Sequence, residues 1–580
     1  YGFFRNDDLT GGKINGDDIF KTGLEQTQYG LSIGGPIIKD KLFFFVNFEK
    51  DDLTELGTNG FVPNRGTGAA NESRVSATDF ALVDNLLRQV VIGQDAQGND
   101  LFYNPGAYEG FNFDQESTKG IFKLDWNIND KNRLALIYNF LNSTKGKPAH
   151  PSALGFRGPN TSVLQFQNTG YEINNNINSV QIELNSTLQD NVTNKLQVGY
   201  THFDDFRTPF STPAPTLTIL DATGSSNYII AGHEPFSINN RLDQKVLQIT
   251  NNMNIFKGNH TYTIGFSFEK FQFDNSFNLG AYGAQGVFFP TTTITDFPEF
   301  ASSGQLQNAF DAAIATSNAL EANGTGNPGG WSLAETNVGQ MSFYIQDEWN
   351  ATDDFKLTYG VRFDRPLYFD TKQKIAENIE RKGGDAGTYI PSIEYFNPDT
   401  DEPILLDSEQ LPSTKWLVSP RVGFNWDVKG DNSLQLRGGS GLFTGRFPFV
   451  WLGNQVQGVD FFFYQLVDPE YQWPQVWRTN LGLDKRLENG VILTADVSYS
   501  EDLNAAHVQN WGLNSPSATL NGVDNRPVYT NDDKSQIFGG PTNAYVFTNS
   551  DQGRVFNASL KAQKTWDNGL YGMLAYNYLN

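Results

Sequence analysis

The sequence predicts an all-β fold: a transmembrane antiparallel β-barrel with short turns at one rim and long loops at the other. Three observations predict it. Apolar and polar residues alternate in runs of about ten residues, the length a tilted strand needs to cross a bilayer. The runs come in pairs joined by tight polar turns. Long polar connections separate each pair from the next. No stretch of about 18 apolar residues occurs in the 580, so no helix spans a membrane.

The clearest pair is Met341 to Asp364. In its second run Phe355, Leu357, Tyr359, Val361 and Phe363 share one face, while Lys356, Thr358, Gly360, Arg362 and Asp364 share the other. The first run places Met341, Phe343, Ile345 and Trp349 on one side, and Asp347 breaks the pattern. The turn falls at Ala351 to Asp354.

The same unit recurs along the chain. A strand entering Gly34-Gly35-Pro36 turns at Lys39-Asp40 and leaves through Phe43 to Val46. Phe122, Leu124, Trp126 and Ile128 turn at Asn129 to Asn132 into Leu134, Leu136, Tyr138 and Phe140. Val180, Ile182 and Leu184 meet Leu196, Val198 and Tyr200 across Asp190 to Asn194. Leu247, Ile249, Met253 and Ile255 meet Tyr262, Ile264, Phe266 and Phe268 across Lys257 to His260.

Beyond the Met341 hairpin the rhythm continues. Val418, Val422, Phe424, Trp426 and Val428 turn at Lys429 to Asn432 into Leu434 and Leu436. Trp477, Leu481 and Leu483 turn at Leu487 to Gly490 into Val491 through Tyr499. Phe556 through Ala562 turns at Trp566 to Gly569 into Leu570 through Tyr578. With the strand end at Tyr1 this makes about 17 strands. Two helices interrupt the long connections. One spans Thr78 to Val91 behind a Thr78/Asp79 cap, and a short one lies around Gln305 to Ala322.

Composition agrees. Aromatics reach 14%, with 46 Phe and 23 Tyr, and 56 Gly suit many turns. With 0 Cys there is no disulfide framework, thiolate nucleophile or Cys-ligated metal. A net charge of -23 argues against nucleic acid as a partner and suits an acidic surface facing solvent. Trp126, Trp349, Trp426, Trp477 and Tyr578 near strand ends suit the aromatic girdles where a barrel meets lipid headgroups. The alternative is a soluble β protein whose core they fill. Loop asymmetry favours the barrel, because a bilayer tolerates no open sheet edge. Both termini lie inside strand-like sequence, at Tyr1 and Asn580, so the chain reads as an internal segment of a longer protein.

Catalytic constellations are lacking. His150, His202, His233, His260 and His507 are scattered without paired ligand spacing. Gly438-Gly439-Ser440-Gly441 lies in a strand and is no phosphate loop. Asn397, Asp399 and Asp401, followed by Glu402, begin like a calcium loop but lack its glycine and closing glutamate, and read as a solvated acidic loop. No metal or cofactor is expected.

Two sets of residues carry the candidate function. Lys123, Arg133, Arg362, Arg421, Arg437, Arg478, Asp125, Asp364, Asp427 and Asp496 fall on the polar strand faces, where a barrel turns them to its lumen. They dock an internal domain or line a passage; alternatively they pair across neighbouring strands. Trp451 and the run Phe461, Phe462, Phe463 and Tyr464 cluster aromatics in a long connection. They form a substrate-binding surface, or the loop packs on its neighbours and folds over the mouth.

At this point the chain resembles the TonB-dependent receptor family. YIQDEW at Tyr344 to Trp349 and LTYGVRFD at Leu357 to Asp364 resemble that family's mid-barrel signature. QYGLSIGGPIIKDKLFFFVNFE, SPRVGFNWDVKGD at Ser419 to Asp431, RGGSGLFTGRFPFVW at Arg437 to Trp451 and PQVWRTNLGLDKRL at Pro474 to Leu487 resemble its large Oar-like branch. The resemblance implies a barrel of about 22 strands around an N-terminal plug, energised by the TonB-ExbB-ExbD system through a TonB box. Plug, TonB box and the last strands are absent from the sequence, which reads as a partial barrel domain over 1–580.

The expected function is TonB-dependent active uptake of a bulky ligand, such as a siderophore, glycan or peptide, across a Gram-negative outer membrane. Outer-membrane lipid is the expected surrounding, and a surface lipoprotein an expected companion for the glycan or peptide case. A second reading is a structural or secretion-linked barrel within a larger outer-membrane complex. No residue set supports an enzyme.

Overall fold

The computed structural model describes residues 1–580 except 22, 150–157, 235–239, 277–290, 323–329, 331–332, 382–393, 401, 458–462, 535, 538–539 and 542. One antiparallel sheet of 17 strands forms the wall. Its strands are β1 (Gly2–Asn6), β2 (Glu25–Ile38), β3 (Leu42–Thr54), β4 (Gln115–Asn129), β5 (Asn132–Lys147) and β6 (Tyr171–Gln189). There follow β7 (Val192–Pro209), β8 (Arg241–Lys257), β9 (His260–Ser276), β10 (Ala334–Asn350), β11 (Phe355–Leu367) and β12 (Leu417–Asp427). The wall ends with β13 (Leu434–Thr444), β14 (Gln475–Arg486), β15 (Ile492–Asp502), β16 (Arg554–Thr565) and β17 (Tyr571–Leu579). Each strand pairs with its chain neighbours, as an up-and-down barrel requires.

Register aligns the apolar face. Leu124, Leu136, Ile182, Val198, Ile249, Phe268 and Met341 stand opposite one another across successive strands. On the far side, Trp426, Leu436, Leu483, Ala495, Leu560 and Tyr576 do the same. A one-residue slip anywhere would break this belt, so the alternation itself fixes the register. Among the described residues nothing covers the belt: Ile182 is 43% and Leu560 60% exposed. Lipid tails are the medium in which such a surface is stable. Trp126, Trp349, Trp426 and Trp477 stand out from the wall at 36–42% exposure, near its rims.

Strands β5 to β10 are longer than the ten residues expected, reaching 16 in β5 and 19 in β6. Their upper parts, such as Asn174 to Asn176 and Asp204-Asp205, are polar on both faces. Periodicity stops at the lipid boundary, while backbone pairing continues into water.

The fully buried apolar residues lie in the long loops and at the upper ends of strands. Val75, Phe80, Leu87, Phe166, Ile219, Ile229, Phe297 and Phe310 form one core. They come from the strand Glu72–Ser76, helix α1 (Ala77–Leu87), helices α2 (Phe297–Ser302) and α3 (Gln305–Ala322), and a four-stranded sheet of 164–165, 227–232, 216–220 and 291–293 with the residue Phe166 that follows its first strand. Helix α3 matches the expected segment. Helix α1 does not. Its cap is Ser76, whose Oγ accepts from the Thr78 and Asp79 N–H groups, and it ends at Leu87. The hydroxyl one residue before the helix satisfies the first orphan donors, leaving Thr78 inside.

Candidate functional site: the inner wall and the loop that enters it

The face opposite the lipid belt is a polar grid. Across β12 to β15 the register sets three rows: Arg421, Gly441, Arg478, Ser500; then Gly423, Gly439, Asn480, Ser498; then Asn425, Arg437, Gly482, Asp496. In the third row Arg437 reaches over Gly482, with Nη1 2.7 Å from Asp496 and Nε 3.1 Å from Asp484. A Cβ at Gly482 would collide with both Arg437 and Asp496. The glycine therefore makes the ion pair geometrically available.

On β11 Arg362 Nε donates to Asp364 at 2.9 Å and Nη2 to Ser342 Oγ at 2.7 Å. Gln340 and Ser342 also donate to Asp364, each at 2.6 Å. Asp364 is 1% exposed; all three donors converge on its Oδ1, while its buried Oδ2 accepts no hydrogen bond among the described residues. Lys123 pairs with Asp125 at 2.9 Å. Arg133 lies between Asn127 and Asn185 in register. Asp427 holds the turn after β12 instead, accepting the Asn432 N–H at 2.7 Å and the Gly430 N–H at 3.1 Å.

A cavity of about 270 Å³ opens between these strands, lined among others by Glu269, Arg362, Asp364, Arg421 and Arg446. Arg446 donates to Glu269 at 2.6 Å, tying the loop after β13 to β9. The sequence alone did not single out Glu269 or Arg446 as a pair: they stand 177 residues apart, and only Arg446 falls in a motif, where nothing points to its partner.

Helix α4 (Phe449–Gln457) belongs to that loop. Its Leu452, with Phe447, packs on Phe271, Phe273, Val338 and Leu417. Register puts all four wall residues on the inward face. The loop thus folds inside the upper wall. Gln455 fixes it, donating to Ser408 O at 2.6 Å and accepting the Val467 N–H at 2.8 Å. Trp451 lies within this packing, its indole donating to Leu466 O at 2.8 Å and its ring 5.2 Å from Phe547. Phe463 and Tyr464 begin the short strand Phe463–Val467. Phe461 and Phe462 lie outside the described residues, as does Asp401 of the acidic turn. In that turn Asn397 accepts the Asp399 N–H, and Gln509 donates to Asp399. No metal-holding cluster occurs among the described residues.

Burial tunes groups in the loop layer. It pushes the Tyr103 and Tyr228 hydroxyls up to about 12. It pushes His233 down to about 4, against the opposing pull of the Glu234 carbonyl.

Asp347, the break in the apolar pattern, stands on the outer face but is 5% exposed. His260 Nδ1 and the Tyr359 hydroxyl each lie 2.8 Å from its Oδ2. The His260 ring stacks with Tyr262 and with Trp349, both at 5.5 Å. Aromatic rings thus screen the carboxylate from lipid.

These features define a class: a transmembrane β-barrel with short periplasmic turns, long extracellular loops and a polar interior. A model of the outer membrane beta barrel domain matches residues 1–462, and the chain belongs to that family, in the outer membrane of a Gram-negative bacterium. Its fold is similar to the outer membrane transporter YddB from Escherichia coli, at 11% identity and TM-score 0.51, covering 97% of this chain and 56% of that one. The siderophore receptor PirA from Acinetobacter baumannii aligns at 12% identity and TM-score 0.48, covering 100% and 61%. A mutant ferric enterobactin receptor, PfeA from Pseudomonas aeruginosa, aligns at 10% and 0.49, covering 96% and 59%. The chain therefore spans about 56–61% of the length of these structures. No curated protein matches the sequence.

Proposed function

We propose that this chain is the barrel part of a TonB-dependent receptor of the Oar-like branch, importing a bulky ligand such as a siderophore, glycan or peptide. The observation that carries the reading is helix α4 packed on the inward-facing Phe271, Phe273, Val338 and Leu417. A loop seated there narrows the entrance above a polar wall, as a selective port needs and a plain scaffold does not. Import against a gradient needs energy. In this reading it comes from the TonB-ExbB-ExbD system acting on a plug encoded outside this sequence. A surface lipoprotein over the loops would suit a glycan or peptide. The role is transport, without catalysis.

The test compares wild-type cells, cells lacking the full-length gene and cells lacking TonB. Ferric siderophores, glycans and peptides are each supplied, and their depletion from the medium is followed. One class should persist in both mutants. Equal depletion of every class in all three strains would contradict the proposal.

A further inference from the structure

We infer that Arg421 and Arg478 form an oxyanion site on the inner wall, for a carboxylate, phosphate or sulfate group. This rests on the uptake reading and names a chemical feature of what the barrel admits. In the third row an arginine crosses a glycine and meets an acid, as Arg437 meets Asp496 over Gly482. The first row repeats the pattern four residues higher: Arg421 leans over Gly441, whose Cβ would lie 2.9 Å from Arg421 Cγ. Here the residue beyond the glycine is a second arginine, Arg478, and beyond that stands Ser500.

Among the described residues neither Arg421 nor Arg478 has a carboxylate within ion-pair distance, whereas Arg362 and Arg446 each have one and Arg437 has two. Two guanidiniums two strands apart, roughly 10 Å between backbones, leave room for one group accepting from both. The space exists: a cavity of about 330 Å³ is lined, among others, by Arg421, Gly439, Phe443, Arg478, Asn480 and Ser500. Glycine supplies a floor without side chains, and the hydroxyls and amide supply further donors. The Phe443 ring, with the Arg421 guanidinium carbon 4.4 Å from its centroid, holds that arginine in place. In a chain of net charge -23 two arginines without an ion pair among the described residues line this one cavity.

The test uses the full-length protein in detergent and citrate as probe. Calorimetric titration should show citrate binding that weakens about tenfold or more in Arg421→Gln and in Arg478→Gln. It should be unchanged in Arg437→Gln, whose guanidinium is already engaged. Cryo-electron microscopy with and without citrate assigns the source. Density bridging the two arginines only with citrate marks a free anion. Density in both samples, continuous with polypeptide, marks a carboxylate of a segment inside the barrel. Either supports an oxyanion site. No bridging density in either sample, or equal weakening in Arg437→Gln, overturns it. Binding is read without transport, so a protein that binds citrate yet imports nothing overturns only the uptake reading.

Discussion

Arg437 and Asp496 meet across the backbone of Gly482, which has no side chain to keep them apart. The pair is about one-third exposed, so water screens it and its own contribution is modest. Asp496→Asn should cost about 1 kcal/mol in urea unfolding from lipid vesicles. Gly482→Val, which also forces the arginine aside, should cost about 2 kcal/mol or more. Equal effects of the two substitutions would remove the steric role assigned to the glycine.

The two faces of one strand make opposite predictions. Ile182 faces lipid and Gln181 the interior. Ile182→Arg should destabilise the folded barrel by about 2–4 kcal/mol, the cost of a charge near the bilayer midplane. Gln181→Arg should change stability by less than about 0.5 kcal/mol. Folding yield in vesicles, read by the temperature at which the barrel loses resistance to SDS, checks both.

Wall and loop layer should fail separately. Phe310 is fully buried in the loop core, on α3. Phe310→Ala leaves a cavity worth about 3–5 kcal/mol there. The long loops should become sensitive to proteinase K, while the SDS-resistant wall persists. Loss of both together would show a single cooperative unit.

The loop layer should also respond to acid. His233 is buried and held neutral down to about 4. Above the ordinary imidazole value of about 6.5 both folded and unfolded states are neutral there, and its contribution is fully present. As pH falls from that value toward 4 the unfolded state gains a proton that the folded state refuses. Stability then drops, by up to about 3 kcal/mol. Protease resistance of the loops should therefore decline across this window, and His233→Gln should flatten the decline.

Much of the wall was legible because its signal is local. Phe355 to Phe363 alternate, the turn at Ala351 to Asp354 is polar, and the pairing follows. The helix at Gln305 to Ala322 was legible for the same reason. The loop core was not. Phe80, Phe166, Ile229 and Phe310 come from separate connections, and nothing near any of them says that they meet. Asp347 looked like an error in the pattern because its partners, His260 and Tyr359, lie on the neighbouring strands. The inner-wall charges were legible as a face. Their division into paired and unpaired arginines was not, since it depends on which residue lies across each glycine.

The most direct measurement of the central claim uses the absence of native cysteine. Single cysteines at Val180, Gln181, Ile182, Glu183 and Leu184, each spin-labelled in vesicles, report their surroundings by electron paramagnetic resonance. Labels at 180, 182 and 184 should relax with oxygen dissolved in lipid, and labels at 181 and 183 with a water-soluble nickel complex. Uniform accessibility along the five positions, or the reverse phase, would contradict a wall whose apolar face meets the membrane.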